Sequence, residues 1–312
     1  MRIEAIDHDV LMVVGNAYQS VATAFLRDGD ALLVDTLASQ ADAEWMREQL
    51  VDKMGLTVQT IVATHYMSDH MAGMRLYPNA QIVAQRYFQH TYLSQSGRTV
   101  QDDEDYISPT GVFGDTLSLQ WGRHELNLFH NPGKTMCSIN IDVPTSDMVM
   151  AGDNIVGNIV YLSRSSPDML DEAIARLQML NRKRVIGGHV GAFERATLDH
   201  ARKYLRCLRK TVVAIRHKHA DERANEAIKA ISIEACVARG VLPTAFEREW
   251  HGRNLAVVVE QGTFKLDAVQ ETLTGAPAIY AEDATTEDTV KVHSIFNAAM
   301  LPRHACGLAP LA

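Results

Sequence analysis

The chain predicts an α/β fold that passes into a helical C-terminal segment, and three observations carry that reading. Short apolar runs bounded by turn residues recur as far as residue 186. After residue 195 apolar residues recur at helical spacing instead. A histidine, aspartate or proline-glycine turn stands just after several of the apolar runs, where strand ends can converge.

The 312 residues suffice for one large domain or two small ones, and 46% hydrophobic content fills a sizeable core. The net charge of -8 argues against nucleic acid or an anionic membrane as partner. No window approaches the roughly 18 unbroken apolar residues of a membrane span. The N-terminal residues lack the apolar stretch of a secretory signal. Cys137, Cys207, Cys236 and Cys306 are scattered and read as reduced thiols, so a cytoplasmic location is the default.

The elements follow in order. Val10 to Val14 is an apolar run, and Ala22–Leu26 and Ala31–Val34 flank an Asp28-Gly29 hairpin turn that ends at Asp35-Thr36. Residues 40–54 carry a helical stripe, a strand over 60–64 follows, 70–77 turn into a short helix, and Gln81–Ala84 is another strand. Residues 95–110 are polar and acidic, and read as a solvated loop or as a lid over a site. Strands return at 116–120, 125–129, 138–143 and 148–150. A helix over 168–181 begins at Ser166 or Asp168, and Val185-Ile186 is a short strand. Leu198, Ala201, Leu205, Leu208 and Val212 share a helical face. Thr244 to Glu247 forms a capping box before a helix to about Glu260, and Thr285 begins a last helix.

The chemistry concentrates in Thr64-His65-Tyr66-Met67-Ser68-Asp69-His70, followed by Gly73. Two imidazoles and a carboxylate within six residues suit zinc or iron. Three further fragments end strands: Pro132-Gly133-Lys134-Thr135, Ala151-Gly152-Asp153 and Gly187-Gly188-His189.

These fragments, in this order over roughly residues 1–215, resemble the metallo-β-lactamase superfamily of β-lactamases, lactonases and glyoxalase II-type thioesterases. The resemblance implies a four-layer αβ/βα sandwich with a metal site at one edge of its sheets. It divides the chain into that domain, 1–215, and a helical extension, 216–312, that walls the pocket or makes a homodimer contact. The family's second metal site maps onto Asp69, His70 and His189, with Asp153 beside them. The first site keeps only His65, because Met67 and Lys134 stand at its other ligand positions. Thioether and ammonium are poor partners for zinc or iron(II), so the expectation is a single divalent metal, zinc first, with iron or manganese as alternatives. The family's mononuclear subclass is similar, but it uses a cysteine where this chain has His70.

The resemblance implies hydrolysis of an ester, lactone, thioester or amide of small-molecule size by metal-activated water. Asp69 is then a ligand that also orients water. His65 is a base, a hydrogen-bond donor or a leftover ligand. Lys134 either stabilises an oxyanion or pairs with Asp153 and closes the site. Met67 fills the space of the lost ion and Tyr161 lines the pocket or the core. Two histidines and a carboxylate also suit a mononuclear iron oxidoreductase, and a metal-poor binding scaffold is the third reading. His251 and Asn254 read as a surface or interface pair, and His90, His124 and His130 match no ligand position.

Overall fold

The computed structural model describes residues 1–95, 98–219 and 221–264. It has a seven-stranded and a six-stranded sheet. The first contains β1 (Arg2–Asp7), β2 (Val10–Val14), β3 (Val21–Arg27), β4 (Asp30–Val34), β5 (Thr57–Val62), β6 (Gln81–Gln85) and β7 (Gly111–Phe113), neighbours in chain order. It runs antiparallel to β4 and parallel from β4 to β7. The second contains β8 (Thr116–Trp121), β9 (His124–His130), β10 (Ile139–Val143), β11 (Met148–Gly152), β12 (Arg184–Gly187) and β13 (Ala192–Glu194). There only β11 and β12 are parallel.

Strand alternation sorts the apolar residues into three cores, as four layers require. Met12, Phe25, Leu32 and Val34 face Leu126, Ile141, Met150 and Ile186 between the sheets. Val13, Ala24, Leu33 and Ile61 point the other way, onto Met46, Leu50 and Phe88. Those last come from α1 (Gln40–Arg47), the π-helical turns Glu48–Lys53 that continue it, and α3 (Phe88–Leu93). Val149 and Val185 bury against α5 (Pro167–Met179), α6 (Ala196–Lys218) and α8 (Ala245–Glu260), through Leu170, Leu205, Trp250 and Val258. The expected α/β sandwich with a helical C-terminal region is present, and α6 runs without a break across residue 215.

Some boundaries differ from the sequence expectation. The strand expected over 60–64 is β5, ending at Val62, and the site residues follow it in a loop and the single turn α2 (Ser68–Met71). Residues 95–110 are not all loop, since α4 (Val100–Asp105) is capped by Thr99 and Asp102 in a full capping box. Helix α7 (Asp221–Lys229) and β13 had no clear sequence signal. Ser166 and Thr244 cap α5 and α8 as expected. The helix from Thr285 and Cys306 lie outside the described residues.

Candidate metal centre

The site forms where parallel strands end. β4 delivers Asp35, β5 delivers Thr64 and His65, β11 delivers Asp153, and β12 delivers His189 after Gly188. Backbone hydrogen bonds tie the sheets together there: Ile139 N–H donates to Thr64 O at 2.8 Å, and Val21 N–H to Gly188 O at 2.9 Å. A Cβ at Gly188 would fall 2.1 Å from Asp153 Oδ1, so only glycine permits this approach.

Asp69, His70, Asp153 and His189 bring one potential ligand atom each within 4.8 Å of one another. Nε2 of His70 is 3.1 Å and Nε2 of His189 3.3 Å from Asp153 Oδ1, and His189 Nε2 is 3.5 Å from Asp69 Oδ2. His65 Nε2 faces the same space, 3.6 Å from Asp153 Oδ2. The atoms converge without aligned hydrogen bonds, since His65 Nε2, His70 Nε2, Asp69 Oδ1 and Asp153 Oδ1 are buried and lack hydrogen-bond partners. Four such orphaned atoms are costly unless a cation satisfies them. The mixed imidazole and carboxylate set fits zinc, iron(II) or manganese(II).

The far side of each imidazole orients it. His70 Nδ1 lies 3.1 Å from Asp35 Oδ2 and His189 Nδ1 2.8 Å from the Tyr18 carbonyl; both partners only accept, so both Nδ1 atoms carry hydrogen. The Thr64 hydroxyl donates to Asp35 Oδ2 at 2.7 Å, so His65 Nδ1, 3.0 Å from Thr64 Oγ1, must donate to that hydroxyl oxygen. All three imidazoles then offer Nε2 to the centre. Asp35 and the Tyr18 carbonyl went unrecognised in the sequence. An aspartate closing a hairpin looks ordinary, and a backbone acceptor has no residue signature.

Burial opposes charge on His70, but the carboxylates of Asp153 and Asp69 raise its pKa well above the ordinary value. Burial likewise opposes charge on Asp153, yet His189 and His70 hold its pKa well below the carboxylate range. A cation at the cluster and a proton on His70 would compete for the same Nε2.

Lys134 is buried in the turn after β9, with 1% of its surface exposed. A Cβ at Gly133 would lie 2.3 Å from Asn154 Oδ1, the atom that accepts the Lys134 N–H at 3.0 Å. The ammonium donates to the Ser163 carbonyl at 2.7 Å and sits 4.1 Å from the centre of the Tyr161 ring. The expected alternative pairing with Asp153 is absent: neither residue has a direct ion pair with the other within 4.0 Å. Burial pushes the ammonium pKa down to about 8, against the opposing pull of Asp153 and Asp69.

A cavity of about 350 Å³ opens beside the cluster, and Met67, Asp69, Lys134, Asp153, Tyr161 and Trp250 are among its walls. Met67 and Tyr161 thus both border it. Trp250 meets the Tyr161 ring edge-on at 4.3 Å. His251 and Asn254 are not a surface pair. His251 is buried between the Tyr204 hydroxyl and the Ile231 carbonyl, and Asn254 accepts from Leu162 N–H at 2.8 Å while donating to Val160 O at 2.7 Å. Asn254 thereby fixes the residues on either side of Tyr161.

The family model described as the metallo-beta-lactamase superfamily matches residues 15–189, more than half of the chain. The chain belongs to the metallo-beta-lactamase superfamily. Among solved structures it is similar to a metallo-beta-lactamase from Pontibacter korlensis, with a TM-score of 0.56 and 17% identity over 66% of this chain and 98% of that one. DIM-1 metallo-beta-lactamase gives a TM-score of 0.54 and 18% identity over 66% of this chain and 96% of its own. TMB-1 gives 0.53 and 18% over 64% and 94%. These likenesses concern the fold. No curated protein matches the chain. Members of this superfamily are mostly metal-dependent hydrolases, and the cluster above is this member's candidate metal-binding site. No helix among the described residues is long and apolar enough to cross a membrane.

Proposed function

We propose that the protein is a hydrolase of a carbonyl-centred bond (ester, lactone, thioester or amide) in a small molecule, working with one divalent metal, zinc first. Asp69, His70, Asp153 and His189 would hold the ion. The observation that carries this reading is the convergence of their ligand atoms within 4.8 Å, several of them buried and otherwise unsatisfied. A divalent ion there supplies Lewis acidity and lowers the pKa of water toward neutrality.

The chain's own residues supply the rest. His65, with hydrogen on Nδ1, keeps a bare Nε2 toward the centre and is the base that accepts a proton from attacking water. Asp69 combines the ligand role with orientation of that water. The Ser163 carbonyl occupies one of the three Lys134 N–H donors, leaving others for a developing oxyanion. Lys134 in this way takes over the charge stabilisation that the family's first metal provides. Met67 and Tyr161 shape the substrate's contact surface. The protein is proposed to act in the cytoplasm, without nucleic-acid or membrane partners, with its C-terminal segment available for a homodimer contact.

The test is hydrolysis of a panel of esters, thioesters, lactones and amides before and after treatment with a chelator. Turnover that chelation abolishes and zinc restores is expected; metal-independent turnover, or none across the panel, contradicts the reading. The donor set also suits iron(II), and oxygen consumption by iron-loaded protein without hydrolysis would support the oxidoreductase alternative.

A further inference from the structure

Arg164 has φ of 58°, a left-handed conformation that residues with a Cβ rarely adopt. Contacts on both sides hold its turn. Asn254 fixes Leu162 N–H, the Ser165 hydroxyl donates to Tyr161 O at 3.1 Å, and the Ser163 carbonyl receives Lys134. Strain maintained in this way clusters at functional sites. Here it sets a guanidinium on the cavity wall next to the residue that carries Lys134's partner.

The charges around the cavity are unequally matched. Arg98 is paired with Asp103 at 2.7 Å and Arg253 with Glu249 at 2.5 Å. Asp102 caps α4 through Thr99, at 2.7 Å from its N–H. Asp69 and Asp153 face the metal cluster. Arg164 hydrogen-bonds only a neutral group, the Gln95 amide oxygen, and has no carboxylate within 4.0 Å among the described residues. The buried Lys134 ammonium also meets a carbonyl and a ring face, not an acid. One wall therefore carries two cations, neither of which has a carboxylate paired with it within 4.0 Å among the described residues.

We propose that the substrate bears an anionic group, a carboxylate or phosphoryl, and that Arg164 is the specificity residue that reads it. This rests on the hydrolase reading only for the acyl part of the substrate. A guanidinium fork matches either anion in two parallel hydrogen bonds, and a neutral analogue leaves the fork unmatched. Arg164 and Lys134 border the same cavity, so one ligand can present its anion to the first and its carbonyl to the second.

Calorimetric titration of the full, zinc-loaded chain with glutarate, propylphosphonate and neutral glutaramide tests this without turnover. Arg164→Gln and Arg164→Lys serve as variants. At least one anion should bind about tenfold or more tightly than glutaramide, and Arg164→Gln should remove that preference while Arg164→Lys keeps part of it. The tighter of the two identifies the anion. Equal binding of anions and glutaramide, no anion binding, or an unchanged preference in Arg164→Gln would overturn the proposal. Metal content of each variant, measured in parallel, separates loss of the fork from loss of the ion. Ester hydrolysis with no anion preference would remove this inference and leave the hydrolase reading standing. Anion binding through Arg164 with no hydrolysis of any acyl compound would do the reverse.

Discussion

Asp35 Oδ2 lies 3.1 Å from Nδ1 of His70 and accepts the Thr64 hydroxyl at 2.7 Å, so one buried carboxylate orients two imidazoles of the centre. Its Oδ1 accepts the Thr64 N–H at 2.8 Å. Replacing such an outer partner typically lowers metal affinity about 10- to 100-fold. Asp35→Asn should show a loss in that range by zinc titration while retaining the circular-dichroism spectrum of the native fold. Unchanged affinity would mean that His70 needs no orienting partner.

Lys134 gives a pH limit. Its ammonium pKa is pushed down to about 8, so the charged form that stabilises an oxyanion is lost as pH rises through that value. kcat/KM should fall above about pH 8, and Lys134→Gln should be slow across the range with that alkaline limb removed. An alkaline limb that persists in Lys134→Gln would assign it to another group.

The same lysine should cost stability. Its folded pKa is below the unfolded one, so its unfavourable contribution is fullest below about pH 8 and fades as pH rises toward 10.5. Lys134→Met, which removes the buried charge, should raise stability by about 1–3 kcal/mol at neutral pH and slow catalysis by about 10²- to 10³-fold. Urea unfolding of the two proteins reads the difference, and a destabilised variant would show that the ammonium is a net structural contact.

Asn254 links α8 to the residues flanking Tyr161 through hydrogen bonds to Leu162 N–H, Val160 O and the Tyr204 hydroxyl. Asn254→Ala leaves these buried groups unsatisfied and should cost about 2–4 kcal/mol. A rise in KM larger than the fall in kcat is expected, because the cavity wall moves and the metal ligands do not. A kcat loss alone would contradict that assignment.

Much of this site was legible because each ligand follows a short apolar strand. His65, Asp69 and His70 after β5, Asp153 after β11 and His189 after β12 stand out as polar residues where strands stop. The supports were harder to read. Asp35 reads as the end of a hairpin, the Tyr18 carbonyl has no sequence signature, and Asn254 acts across 92 residues of chain on Leu162. Helix α4 is short and acidic, and its apolar content gave no period, although Thr99 and Asp102 spell its capping box. For Lys134 the sequence indicated a cation in place of a ligand, either stabilising an oxyanion or pairing with Asp153. Its actual contacts, the Ser163 carbonyl and the Tyr161 ring, are a backbone group and a ring face that no sequence pattern announces.

Zinc stoichiometry of the metal-stripped protein tests the central claim most directly. Calorimetric titration should give about one ion per chain, none of comparable affinity in Asp153→Ala, and about two when Met67→His and Lys134→His are combined. Two ions in the native chain, or none, would contradict a single-metal centre with a lysine beside it.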